Sequence, residues 1–170
     1  MRLLLWLLLI LTLSTSAIAN SKITSYIFLG GHSSKIMDNN AQFYTIGYGW
    51  DRTFENRLYV GGTFAFNFGS IDMRDEITLR TKSETITGYD VDMRLGYSLE
   101  RVDIFSIVGV AAQGFNNTTA YGFGYGAGIS WRIDERWSLG TEYKIHRMTS
   151  NKLPGKYDYD VFVMRLGFRF

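Results

Sequence analysis

The chain has 170 residues, and its 18 Lys and Arg against 16 Asp and Glu leave a net charge of +2. Such a balance supplies no field for nucleic acid. The absence of Cys excludes a disulfide framework and thiolate metal sites, and two His are too few for an ordinary zinc site. The 46% hydrophobic content excludes disorder.

Met1 to Ala19 reads as a secretory signal. Arg2 supplies the positive start, Leu3 to Leu13 the apolar run, and Ala17-Ile18-Ala19 a small-x-small cleavage pattern. Cleavage after Ala19 leaves residues 20–170 as one domain, without an apolar run long enough for a transmembrane helix.

That remainder alternates with period 2 and is rich in Gly, Tyr, Phe, Thr and Val, a composition suited to strands. Eight strands are expected, at about 22–31, 41–51, 56–68, 84–98, 101–113, 119–133, 136–148 and 158–170. The connections alternate. The expected long ones lie at His32–Asn40, Gly69–Lys82, Gly114–Thr118 and Thr149–Tyr157, and the tight ones at Arg52–Glu55, Leu99–Glu100 and Asp134–Glu135. Long at one end and short at the other describes an antiparallel up-and-down meander, and also an outer-membrane barrel. Pro154, the only proline, falls in a long connection.

Two faces separate along six of these strands. Tyr44, Ile46, Tyr48 and Trp50 in the second strand, Tyr89, Val91, Met93, Leu95 and Tyr97 in the fourth, and Trp137, Leu139, Tyr143 and Ile145 in the seventh share the apolar face. The second face holds much of the Gly and the charges Asp51, Arg57, Glu84, Asp90, Asp92, Arg94, Arg132, Glu142, Lys144, Arg165 and Arg169. The first and fifth strands do not sort, and their orientation stays open.

A secreted ligand-binding barrel would turn the apolar face inward. Two features favour the inverse, with the apolar face in lipid. Gly crowds the polar face, as a narrow lumen requires. Trp50, Tyr97, Trp131, Trp137 and Phe170 all fall at the short-turn end, as an interfacial aromatic girdle does. The fold class expected is therefore all-β, an eight-stranded antiparallel up-and-down transmembrane β-barrel. Eight strands leave room only for side chains, so Arg57, Asp90, Asp92, Arg94, Arg132, Glu142, Lys144 and Arg165 are expected to form a structural ionic network. With Trp137 placed opposite Phe170, Glu142 falls opposite Arg165 and should pair with it.

Phe162, Met164, Leu166, Phe168 and Phe170 form an alternating series that ends on Phe. It resembles the assembly signal of Gram-negative outer-membrane barrels. With Gly140-Thr141-Glu142-Tyr143-Lys144-Ile145, it is similar to the last hairpin of the OmpA/OmpX-like outer membrane protein beta-barrel family. The resemblance implies a transmembrane barrel in the outer membrane of a Gram-negative bacterium. It also implies insertion by the barrel-assembly machinery and partnership with outer-membrane lipid and lipopolysaccharide. Unlike in OmpA itself, no peptidoglycan-binding domain is expected after Phe170.

Catalysis has one tempting residue. Lipid A deacylases of the PagL kind carry a His-x-Ser pair, but the second residue after His146 is Met148, which offers no hydroxyl. Ser150, His146 and Asp160 could form a hydroxyl–His–carboxylate set, although spacing does not establish its geometry. His32-Ser33-Ser34 reads as a solvated loop. The acids and base of Asp72, Arg74, Asp75 and Glu76 do not match a calcium loop and suit a solvated external loop touching lipopolysaccharide or its divalent ions. The function expected is non-enzymatic, an envelope-structural or surface-binding role with no cofactor. The alternatives are a lipid A or phospholipid-modifying enzyme and a narrow passive porin-like channel. The external ligand, the conductance and the oligomeric state are not legible in the sequence.

Overall fold

The structure, a computed structural model, describes residues 23–36, 39–74, 81–115, 118–150 and 156–170. It holds eight strands: β1 (Ile23–Ile36), β2 (Asn39–Thr53), β3 (Leu58–Arg74), β4 (Thr81–Leu99), β5 (Val102–Phe115), β6 (Thr118–Arg132), β7 (Trp137–Ser150) and β8 (Lys156–Arg169). Each pairs antiparallel with its sequence neighbour, and β1 pairs with β8, which closes the barrel. Closure leaves no free edge in the ring, the condition a spanning sheet must meet where no water is present.

The outer wall is apolar. Ile27, Leu29, Tyr44, Ile46, Phe64, Tyr89, Met93, Val108, Tyr125, Tyr143, Phe162 and Leu166 all stand exposed on it. In water this surface would forfeit its burial energy, and a continuous apolar band of this size marks a lipid-facing wall. On β8 the band runs from Phe162 to Phe170. At ~3.3 Å per residue and ~40° tilt that is roughly 20 Å between end Cα atoms, close to the ~25 Å band of such barrels.

The girdle residues Trp50, Tyr97, Trp131, Trp137 and Phe170 all face outward at the short-turn end, as do Phe162, Met164, Leu166 and Phe168 along β8. A second aromatic set, Tyr44, Phe68, Tyr89 and Tyr121, stands toward the other end of the band. Beyond it the outward residues become polar: Gln42, Ser70, Thr87, Thr119, Arg147 and Asp160. Arg147, Asp158 and Asp160 thus carry the parity of the lipid-facing residues, but they lie past the band.

Four expectations are corrected. The strands run further outward than expected, and the connections there are correspondingly shorter. Ile36 already pairs with Asn39 and Phe115 with Thr118, so most of His32–Asn40 is ladder rather than loop. The ladder continues above the bilayer, where hydrophobic alternation fades although backbone pairing persists. Of the acidic stretch, Asp75 and Glu76 lie outside the described residues, while Asp72 and Arg74 belong to β3.

Arg57 is not in the lumen. It sits in the β2–β3 turn, solvent-exposed and at φ 65°, between Phe54 and Leu58, which bond across the turn (Phe54 N to Leu58 O, 2.9 Å). The turn occupies 54–57, so Arg57 never enters the pleat that its parity assumed. The β7–β8 register is also two residues from the expected one. Trp137 opposes Phe168, and Arg165 opposes Gly140 rather than Glu142. A shift of two preserves the face of every side chain.

Candidate functional site: the filled lumen

The fifth strand, which did not sort by sequence, turns Asp103, Phe105, Ile107, Ala111 and Gln113 inward. The first turns Tyr26, Phe28, His32, Ser34 and Ile36 inward. With all eight inner faces known, the lumen divides into layers from the short-turn end outward.

The first layer joins Asp51, Asp103, Arg132 and Arg169. Arg132 lies 3.0 Å from Asp103, and Arg169 lies 3.3 Å from Asp51 and 3.8 Å from Asp103. The Ser98 hydroxyl donates to Asp103 at 2.6 Å and accepts from Arg132 at 2.7 Å. The second layer centres on Glu142, whose two carboxylate oxygens take Arg94 (2.5 Å) and Arg165. Because the strands are staggered, Arg165 reaches Glu142 diagonally across the hairpin. Arg94 also donates to the Tyr26 hydroxyl at 2.7 Å. Each guanidinium lies over a ring, Arg94 on Phe105 (4.9 Å) and Arg165 on Phe28 (4.5 Å), as desolvated cations favour.

The third layer is Lys144, which donates to Asp90 at 2.9 Å and Asp92 at 2.8 Å. These three layers hold five acids (Asp51, Asp90, Asp92, Asp103, Glu142) and five bases (Arg94, Arg132, Lys144, Arg165, Arg169), so their formal charge cancels. Every base among them has an acid within 4 Å, as the cost of an unpaired buried charge demands.

Above Lys144 comes a layer of neutral polar side chains. His32 bridges Thr45 (Nδ1, 3.1 Å) and the Tyr159 hydroxyl (Nε2, 3.0 Å). Thr45 spends its own proton on Asn67 at 2.7 Å. It must therefore accept from His32 Nδ1–H, which leaves Nε2 to accept from Tyr159 and sets one tautomer. His146 is fully buried in the same layer, 5.6 Å from the Tyr159 ring. Gly124 faces it, and a Cβ there would fall 2.2 Å from the imidazole. The absent side chain is what lets the ring fit.

An apolar plug then closes the outer end. Ile36, Ala41, Phe43, Ile71, Ile86, Ala111, Ala120, Met148, Val161 and Val163 pack as one cluster with Tyr159. At the other end, the cavity bounded by Tyr26, Asp51, Arg94, Glu142, Arg165 and Arg169 measures about 10 Å³, room for one water at most.

Seven of the eight residues expected in the network are in it, and Arg57 is not. Sequence reasoning missed Asp103, hidden in a strand apolar on both faces, and His32, read as loop. The catalytic set does not assemble at the lipid. His146 is buried inside, Ser150 is buried on the same inner face, and Asp160 points outward. Among the described residues no group of three or more His, Asp or Glu has a metal-binding arrangement.

A profile of the family described as "Outer membrane protein beta-barrel domain" matches residues 5–170. The chain belongs to this family. Family and fold together place it in the outer membrane of a Gram-negative envelope. Among solved structures, it is similar to Ail, the attachment invasion locus protein of Yersinia pestis, in complex with the heparin analogue sucrose octasulfate. That likeness has a TM-score of 0.60 at 17% identity and covers 88% of this chain and 99% of that one. Neisserial surface protein A matches with a TM-score of 0.55 at 8% identity, over 88% and 97%. The outer membrane enzyme PagL matches with a TM-score of 0.56 at 11% identity, over 82% and 97%. No curated protein matches the sequence. At such identities the likeness establishes the fold, and the presence of an enzyme among these barrels means that fold alone does not decide activity.

Proposed function

We propose that this protein is a non-enzymatic, non-conducting barrel that anchors external binding or envelope-structural elements rigidly in the outer membrane. The filled lumen carries this reading. Among the described residues, paired charges pack the inner half and an apolar plug packs the outer half, an arrangement that opposes passage of solute. Burial of His146 inside the wall supports the absence of lipid hydrolysis, because an ester in the membrane cannot reach it. The β3–β4 ladder, which runs outward to Arg74 and Thr81, supports a role in presenting external segments.

Planar-bilayer recording and a lipid A and phospholipid hydrolysis assay on the purified barrel test the reading. No unitary conductance and no released fatty acid are expected. Either signal, abolished by His146→Ala for hydrolysis or altered by Glu142→Ala for conductance, overturns it.

Two further steps belong to the same reading: signal cleavage after Ala19, read by the mass of the mature chain, and insertion through the barrel-assembly machinery guided by the Phe162–Phe170 series. Phe170→Asp should lower the amount reaching the outer membrane while refolding into detergent stays intact, because a charge at the interface costs only about 0–1 kcal/mol. Equal outer-membrane levels of the variant and the parent would remove the signal.

A further inference from the structure

The outer wall is not uniformly ridged. On its outward half, Ala112 of β5 forms the floor of a trough between larger neighbours, and Val110 continues that floor. Ala112 is flanked by Tyr89 of β4 and Tyr121 of β6, and Val110 by Val91 and Phe123. The trough measures about 540 Å³, within the range of small-molecule sites. Arg147 and Thr149 of β7 line its far side, where Arg147 stands beside Phe123 and Thr149 beside Tyr121.

Arg147 is the first charge on the outward face of β7, past Trp137, Leu139, Thr141, Tyr143 and Ile145. It is solvent-exposed and has no ion pair or hydrogen bond among the described residues, although Asp158 is its cross-strand partner on the side away from the trough. A second pocket of about 450 Å³, lined by Arg147, Thr149, Lys156, Tyr157 and Asp158, adjoins the trough and shares Arg147 and Thr149 with it.

We infer that this trough seats one acyl chain of a phosphorylated lipid, with the lipid's phosphate held by Arg147 at the level where the wall turns polar. An apolar trough facing a bilayer is filled by hydrocarbon, and a guanidinium binds phosphate through parallel charge-assisted hydrogen bonds. Thr149 adds a hydroxyl donor, and Lys156 a second cation across the adjoining pocket. Asp158 would compete for Arg147, so the site gains when that carboxylate is removed. The trough lies at the outward end of an outer-membrane barrel, opposite the short turns. The occupant is therefore the lipid of that leaflet, lipopolysaccharide, rather than a phospholipid. The inference rests on the lipid-facing wall and not on the filled lumen, so failure of one leaves the other standing.

The test measures lipopolysaccharide retained per barrel after the protein is extracted from outer membranes and washed in mild detergent. The parent, Arg147→Glu, Ala112→Phe and Asp158→Asn are compared, each first shown to be folded by heat-modifiable migration. Arg147→Glu should lower retention about tenfold, the factor carried by loss of one charge-assisted hydrogen bond. Ala112→Phe, which fills the floor, should lower it comparably, and Asp158→Asn should raise it. In the same extracts, co-purified phospholipid, which belongs to the opposite leaflet, should be equal across all variants. Unchanged retention in Arg147→Glu overturns the proposal whether or not Ala112→Phe folds, because Arg147 is exposed and outside the packed lumen. Co-purified phospholipid that falls in the same variants while lipopolysaccharide stays constant also overturns it.

Discussion

The two halves of the lumen are closed by different physics. In the inner half, three layers of acids and bases cancel one another, and each charge depends on a partner from another strand. In the outer half, Ile71, Ile86, Met148 and Val161 simply pack. A paired network breaks badly when one member is removed, yet it can be replaced whole at little cost. A packed plug loses stability in proportion to the volume deleted and tolerates swaps of similar size. Both keep water out, but only the first demands particular residues at particular positions.

The strongest test of this contrast is Glu142→Ala, which strands Arg94 and Arg165 together. It should cost on the order of 3–5 kcal/mol in urea unfolding of the barrel refolded in detergent. Replacing Glu142, Arg94 and Arg165 together with Leu and Met should cost less than the single change. If the single change costs under ~1 kcal/mol, the inner half is not held as described. Met148→Ala probes the outer half by opening a cavity in the plug. It should cost about 2–3 kcal/mol, the lower part of the range for Met→Ala, since a single flexible side chain is removed. Met148→Leu should stay under ~1.5 kcal/mol, a tolerance that no single substitution at Glu142 should show.

Two changes at the inner turns lie outside both halves and calibrate them. Arg57 holds φ 65° without a glycine, so Arg57→Gly should stabilise by about 0.5–1 kcal/mol in the same titration. The smallest effect is a pH dependence. In the β6–β7 turn the backbone N–H groups of Trp137 and Arg136 both donate to Asp134 and hold its carboxyl below its ordinary range. A depressed carboxylate stabilises the fold above its unfolded pKa, and that contribution is lost as pH falls through the folded value. The urea midpoint of the parent should therefore fall more steeply below about pH 4 than that of Asp134→Asn. Parallel curves would show that the turn does not depend on the charge.

The inner half was the more legible in sequence. Asp90, Asp92, Arg94, Glu142 and Lys144 stand out because a charge of regular parity among lipid-facing neighbours needs a special reason. The outward face was equally plain, since Trp137 and Tyr97 mark its depth. The plug was not legible. Ile86, Met148 and Val161 are apolar on the inner face while their outward neighbours Thr87, Arg147 and Asp160 are polar, so the alternation that marks the band is inverted there. Asp103 was lost for a different reason: with Val102 and Ile104 outside and Phe105 and Ile107 inside, its strand is apolar on both faces. The two-residue register error has another origin. Parity sets which face a residue takes but not which partner it meets, and Trp137 against Phe168 satisfies the same alternation as Trp137 against Phe170.

The ring closure between β1 and β8 has a consequence in time. Every hairpin joins neighbours in the chain, but His32 meets Tyr159 across 127 residues. Loop entropy rises only slowly with such a span, so the separation costs little at equilibrium. It does impose an order: contacts across the first and last strands cannot form until the last strand has arrived. Until then β1 and β8 each present a row of unpaired backbone groups to a medium that cannot solvate them. The seam is therefore where an incomplete barrel is most vulnerable, and His32 and Tyr159 sit directly inside it, joined only once the last strand has docked.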